Sequence, residues 1–116
     1  MDDCIFCMIA RGEMEARVVY SDDLVVAFDD ITPQAPVHTL IIPRTHFADM
    51  GDDVPAEVSS ALFAAVPKVA AIKGVDKTGY RVIINNGRDA SQTLQHLHVH
   101  VMGGAAFSHG MVHFSE

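Results

Sequence analysis

Ile5, Phe6, Ile9 and Ala10 form the apolar stripe of a short helix over residues 4–10, with Asp2 or Asp3 as its cap and Gly12 as its stop. β-Branched and aromatic runs at 18–20 and 24–28 flank Ser21-Asp22-Asp23, which predicts a hairpin. Two prolines mark 30–36 as a loop, and 37–42 is a third strand ended by Pro43. Val58, Leu62, Val66, Val69 and Ile72 recur at three and four, the buried stripe of a long helix over 55–73. Pro67 inside it removes a bond to the carbonyl of Phe63, so a kink or break is expected there. A fourth strand follows at 80–84, a polar loop at 85–93, and a fifth strand at 95–102 closed by Gly103-Gly104. These elements predict an α+β fold: a five-stranded antiparallel meander with one short N-terminal helix and one long helix.

At 116 residues the chain has room for one domain. A formal charge of −7 argues against polymeric nucleic acid or an anionic membrane surface as a partner. The start, Met-Asp-Asp-Cys, has acids where an export signal carries basic residues, and no apolar run approaches the roughly 18 residues of a membrane helix. Two cysteines without an export signal point to reduced thiols and a cytoplasmic protein.

The chemistry concentrates in Gln95-His96-Leu97-His98-Val99-His100-Val101-Met102. In a strand, His96, His98 and His100 line one face and Leu97, Val99 and Val101 face a core. The row could be a solvated outer face. With seven His in the chain, however, three in register is an accident of only about 2%. It can present neutral imidazole lone pairs to one phosphorus or one metal. No carboxylate lies in or beside the strand, while the preceding loop offers amide, hydroxyl and backbone donors, which suits an anion.

His96-Leu97-His98-Val99-His100-Val101-Met102 matches the signature of the histidine-triad (HIT) family. Cys4-Ile5-Phe6-Cys7, the segment from Val26-Ala27-Phe28-Asp29-Asp30 through Ile31-Thr32-Pro33-Gln34-Ala35-Pro36, residues 38–46 and Tyr80-Arg81-Val82-Ile83-Ile84-Asn85 resemble its Hint branch, the purine nucleoside phosphoramidases. The resemblance covers about 3–104 of one domain spanning 1–116, with 105–116 a weakly matching tail whose His109 and His113 are expected to be solvated.

The resemblance implies a role for each residue. His98 would be the nucleophile that carries a nucleotidyl group, and His100 its companion on the phosphoryl oxygens or leaving group. His96 and His38 would orient the row from behind. Ser91, Gln92 and Thr93 would contact phosphate, and Asn85 the sugar and phosphate. Asp30 would accept from the ribose hydroxyls, and Ile5, Phe6, Ile9, Phe28 and Ile31 would wall the base slot, although apolar residues of this kind also serve as plain core.

No cofactor is implied for the chemistry. Cys4 and Cys7 share one helix face, and in relatives with this pair His46 and His96 complete a Cys2His2 set suited to structural zinc; buried free thiols are the alternative. The implied reaction is hydrolysis of the phosphorus–nitrogen bond of purine nucleoside 5′-phosphoramidates. The alternatives are a dinucleoside polyphosphate hydrolase of the same superfamily, against which the Hint-like loop counts, and a nucleotide-binding regulatory or scaffold protein that keeps the triad as a binding site with little turnover. A homodimer is expected through the long helix, where Ala61, Ala64 and Ala65 make a second line, and the adjoining strand. In that arrangement the tail would influence substrate choice.

Overall fold

The computed structural model describes residues 4–107, so Asp2, Asp3, His109, His113 and the end of the tail lie outside the described residues. In chain order the elements are α1 (Ile5–Ala10), β1 (Val18–Ser21), β2 (Val25–Asp29), β3 (Val37–Pro43), α2 (Ala56–Ile72), β4 (Tyr80–Ile83), a short 3-10 turn (Arg88–Ala90) and β5 (Val99–Gly103). All strands pair antiparallel in one sheet ordered β1-β2-β3-β5-β4. The first three form the expected meander; β5 then inserts between β3 and β4, which leaves β4 at the edge. Among the described residues, no helix is long and apolar enough to cross a membrane.

The sheet is covered on both faces. α2 buries Val58, Leu62, Ala65, Val66 and Val69 against Val25, Ala27, Ile41, Leu97, Val99 and Val101. Each fully buried Val or Leu contributes about 1.5–3 kcal/mol. On the other face α1 lays Phe6 and Ala10 on Val26, Phe28, Leu40 and Ile42. Arg44 fastens this arrangement, donating from Nη1 to Ala10 O at 2.9 Å and from Nε to Asp22 O at 2.8 Å.

Several local details differ from the sequence pattern. The N-cap of α1 is Cys4, whose Sγ accepts from Cys7 N–H at 3.4 Å. α2 runs without a break through Pro67, because Phe63 and Pro67 both face solvent and water can serve the released carbonyl. Ile72, the last residue of α2, leaves the buried stripe and is 54% exposed. Ala65 is core, 1% exposed, so only Ala64 of the second alanine line is fully exposed, with Ala61 partly buried.

The fifth strand begins at Val99 rather than at residue 95. Continuing the pairing of Ile41 with Val99 would put Leu97 opposite Pro43, which has no N–H to give. The ladder stops there. Leu97 N–H turns instead to Phe47 O at 2.7 Å, and Pro43 O accepts from His96 Nε2 at 3.0 Å. His96 and His98 therefore precede the strand, while the alternation persists, with Leu97 in the α2 core.

Candidate active site

The register that sets Phe28 against Leu40 and Leu40 against His100 puts these side chains on the α1 face of the sheet. His98 follows two residues before His100, and Phe6 of α1 stands edge-on to it with centroids 5.3 Å apart. The row is thus not a solvated face: His96 and His100 are 0% exposed, His38 3% and His98 5%. His98 and His100 lie 5.0 Å apart between ring centroids.

The hydrogen bonds assign the protons. Gln34 N–H donates to His38 Nδ1 at 3.0 Å, so the His38 proton sits on Nε2, which faces His100 Nδ1 at 2.8 Å. His100 accepts at Nδ1 and carries its own proton on Nε2. His98 donates from Nδ1 to the carbonyl of His96 at 2.7 Å, which leaves its Nε2 as a lone pair. A ring nitrogen with a free lone pair and a ring nitrogen that carries a proton therefore belong to neighbouring rings. Both rings stay neutral: burial pushes the pKa of His98 and of His38 below the ordinary 6.5, and burial with His98 and His38 nearby pushes His100 to about 3.

These depressed values have a consequence for stability. Between about pH 3 and 6.5 the unfolded chain binds a proton at His100 that the native protein excludes, and the lowered pKa values of His98 and His38 act in the same direction. Stability is then full above 6.5 and falls as the pH drops toward 3, by about 1.4 kcal/mol per pH unit for each excluded proton. Urea midpoints should fall steadily from pH 7 to pH 4.5; a flat profile would contradict the proton assignment.

Asp30 is 8% exposed. Its Oδ1 accepts from Thr32 N–H at 2.9 Å and Thr32 Oγ1 at 3.2 Å. Oδ2 lies 3.6 Å from His38 Nε2 and has no hydrogen bond. Asp30 also lines a cavity of about 230 Å³ that gathers all five expected base-slot residues, Ile5, Phe6, Ile9, Phe28 and Ile31. Ile31 is 93% exposed, a rim rather than a buried wall. Leu40, Leu94, Met14 and Ala16 add apolar lining that the sequence pattern did not single out, and Glu15, Asp29 and Thr32 add polar lining; strand pairing with Phe28 identifies Leu40 beforehand, while no local signal marks Leu94, Met14 or Ala16.

The phosphate loop divides. Gln92 is buried, its Nε2 donating to Ala48 O and Leu94 O and its Oε1 accepting from Gly87 N–H, so it shapes the loop and offers no side-chain atom to a phosphate. That corrects its expected role. Thr93 and Ser91 are exposed, Ser91 in the left-handed region at φ 62. Asn85 is half-buried, two residues after Ile83, which pairs with His100.

Cys4, Cys7, His46 and His96 converge with their ligand atoms all within 4.8 Å of one another. His96 Nδ1 lies 3.3 Å from Cys4 Sγ and 3.5 Å from Cys7 Sγ, and His46 Nδ1 lies 3.2 Å from Cys7 Sγ. Neighbouring donors of a tetrahedral zinc site stand ~3.5 Å apart, so the set fits that ion. The His96 Nε2 bond to Pro43 O holds the tautomer whose Nδ1 lone pair faces the sulfurs. Burial, and Cys4 beside it, push the Cys7 thiol up.

The model of the HIT domain family matches residues 11–107. The chain is 40% identical over 115 residues to the purine nucleoside phosphoramidase of Escherichia coli (strain K12), covering 97% of this chain and 96% of that one. It superposes on a HIT family hydrolase from Clostridium thermocellum at a TM-score of 0.91 and 37% identity, covering 97% and 99% of the two chains. A histidine triad protein from Clostridium difficile gives 0.89 at 40% identity, over 96% of this chain and 98% of its own.

Proposed function

The chain belongs to the HIT domain family, whose relatives make it a nucleotide hydrolase, and from that premise we propose that it cleaves the phosphorus–nitrogen bond of purine nucleoside 5′-phosphoramidates of the AMP–amine type. The observation that carries the reading is the pairing of lone pair and donor: His98 Nε2 beside the protonated His100 Nε2, next to a cavity that ends on Asp30. His98 Nε2 attacks the α-phosphorus, and the phosphorus–nitrogen bond breaks as the bridging nitrogen takes a proton from solvent and leaves as a neutral amine, a proton that the later attack of water returns to solvent. The N–H of His100 holds a phosphoryl oxygen. Water then attacks the histidine-bound phosphorus, releases nucleoside 5′-monophosphate and returns the lone pair to His98.

Asp30 holds the ribose, the apolar cavity the purine, and Thr93, Ser91 and Asn85 the phosphate side. A zinc ion, held by Cys4, Cys7, His46 and His96, would supply a structural clamp and no reacting group. The reaction needs no cofactor. Steady-state hydrolysis of an AMP–amine conjugate against a diadenosine polyphosphate tests the reading. Preference for the polyphosphate would move the chain to that class, and tight AMP binding without turnover of either would leave a binding protein.

The protein acts as a homodimer in this reading. β4 is an edge strand carrying Tyr80 and Val82, each 37% exposed, and α2 presents Phe63 at 50%. Pairing of two such edges would extend one sheet across a two-fold axis. Light scattering should give about twice 12.6 kDa, and Phe63→Glu should release monomer. Ala65→Glu would not serve, since Ala65 is core. A wild-type mass near 12.6 kDa would refute the dimer.

A further inference from the structure

The thiol–imidazole cluster and the histidine row share one residue. The side chain of His96 is held on both sides, by Cys4 and Cys7 at Nδ1 and by Pro43 O at Nε2. The His96 carbonyl takes the Nδ1 proton of His98. His46 braces the ring from the side, edge-on to His96 with centroids 4.9 Å apart. The backbone here has left the ladder, since β5 begins only at Val99. A side-chain anchor therefore does for this carbonyl what strand pairing does for its neighbours.

We infer that the Cys4–Cys7–His46–His96 cluster sets the rate of turnover through the carbonyl of His96, a positioning residue, with a bound zinc ion as the clamp. The metal touches no reacting atom. Held, the carbonyl keeps the proton on His98 Nδ1 and the lone pair on Nε2. Released, it lets the His98 ring turn or change tautomer, and fewer molecules stand ready to attack. Thiols alone are weak hydrogen-bond donors, so the metal-free cluster grips His96 less firmly than four coordinate bonds do. The inference rests on the reading of His98 as nucleophile.

His46→Ala is the test, because His46 lies outside α1 and outside the base cavity, and α1 keeps its own anchors in Phe6, Ala10 and the Arg44 bond. Wild-type protein expressed with zinc should hold about one equivalent, and the variant should lose it. Its kcat should fall about tenfold or more while KM stays within about threefold. The ring-proton resonance of His98, assigned by its loss in His98→Ala, should broaden. His46→Cys restores a closed Cys3His set and should recover zinc, kcat and the resonance. A folded, zinc-free His46→Ala with wild-type kcat overturns the inference, and so does a wild-type protein that binds no zinc. Should His46→Ala not fold, chelator-stripped wild type gives the same readouts, and unchanged kcat and resonance there overturn it as well. The resonance reports on the cluster without turnover, so a fully active His98→Ala would defeat the nucleophile reading alone.

Discussion

His98→Ala should abolish turnover, with kcat falling on the order of 10⁴-fold or more, as expected when the proposed nucleophile is removed. The neighbouring donor and the nucleotide cavity remain, so AMP should still bind. The substitution is not silent for the fold. His98 is 5% exposed and packed by Phe6, and truncating a large buried side chain costs about 2–4 kcal/mol. Circular dichroism at low temperature and AMP titration should therefore accompany the assay. Turnover within about tenfold of wild type in folded His98→Ala would remove His98 from the nucleophile's place.

Asp30→Ala carries the second large effect. Asp30 lines the cavity, its Oδ2 is a buried acceptor without a hydrogen bond, and its Oδ1 is fixed by Thr32. A ribose hydroxyl placed there gains a charge-assisted bond without the carboxylate having to reorganise. Its loss should cost about 1.5–3 kcal/mol of binding, roughly 10- to 150-fold in Kd. Titration with AMP and with its 2′,3′-dideoxy analogue separates the roles. The penalty should appear with ribose and nearly vanish with dideoxyribose; equal penalties would place Asp30 in support of His38 instead, whose ring it faces at 3.6 Å.

The histidine pattern was legible because strand parity is local. Leu97, Val99 and Val101 had to share a face whatever the rest of the chain did, and they do, against α2. The same parity placed His98 and His100 together, and the apolar runs on either side of Ser21-Asp22-Asp23 required the hairpin that the structure contains. What parity cannot give is which neighbour a strand takes. β5 inserts between β3 and β4, and this insertion brings His38 from one strand to His100 on another and makes their hydrogen bond.

Burial of the row likewise needed the tertiary structure. The sequence shows an alternating strand with polar residues on one side, which ordinarily means water. The placement of α1 on that face, with Phe6 edge-on to His96 and His98, shields these two rings, and burial lowers their pKa values. Gln92 shows the same limit: its amide suits a phosphate or a loop equally well, and the positions of Ala48, Gly87 and Leu94 decided for the loop. Residue type and period by themselves determined the elements, the two faces of the sheet and the chemistry available on each. The assignment of every proton, and the division between groups free to react and groups holding others in place, came from contacts between residues far apart in the chain, because a hydrogen bond depends on distance and direction that no local pattern encodes.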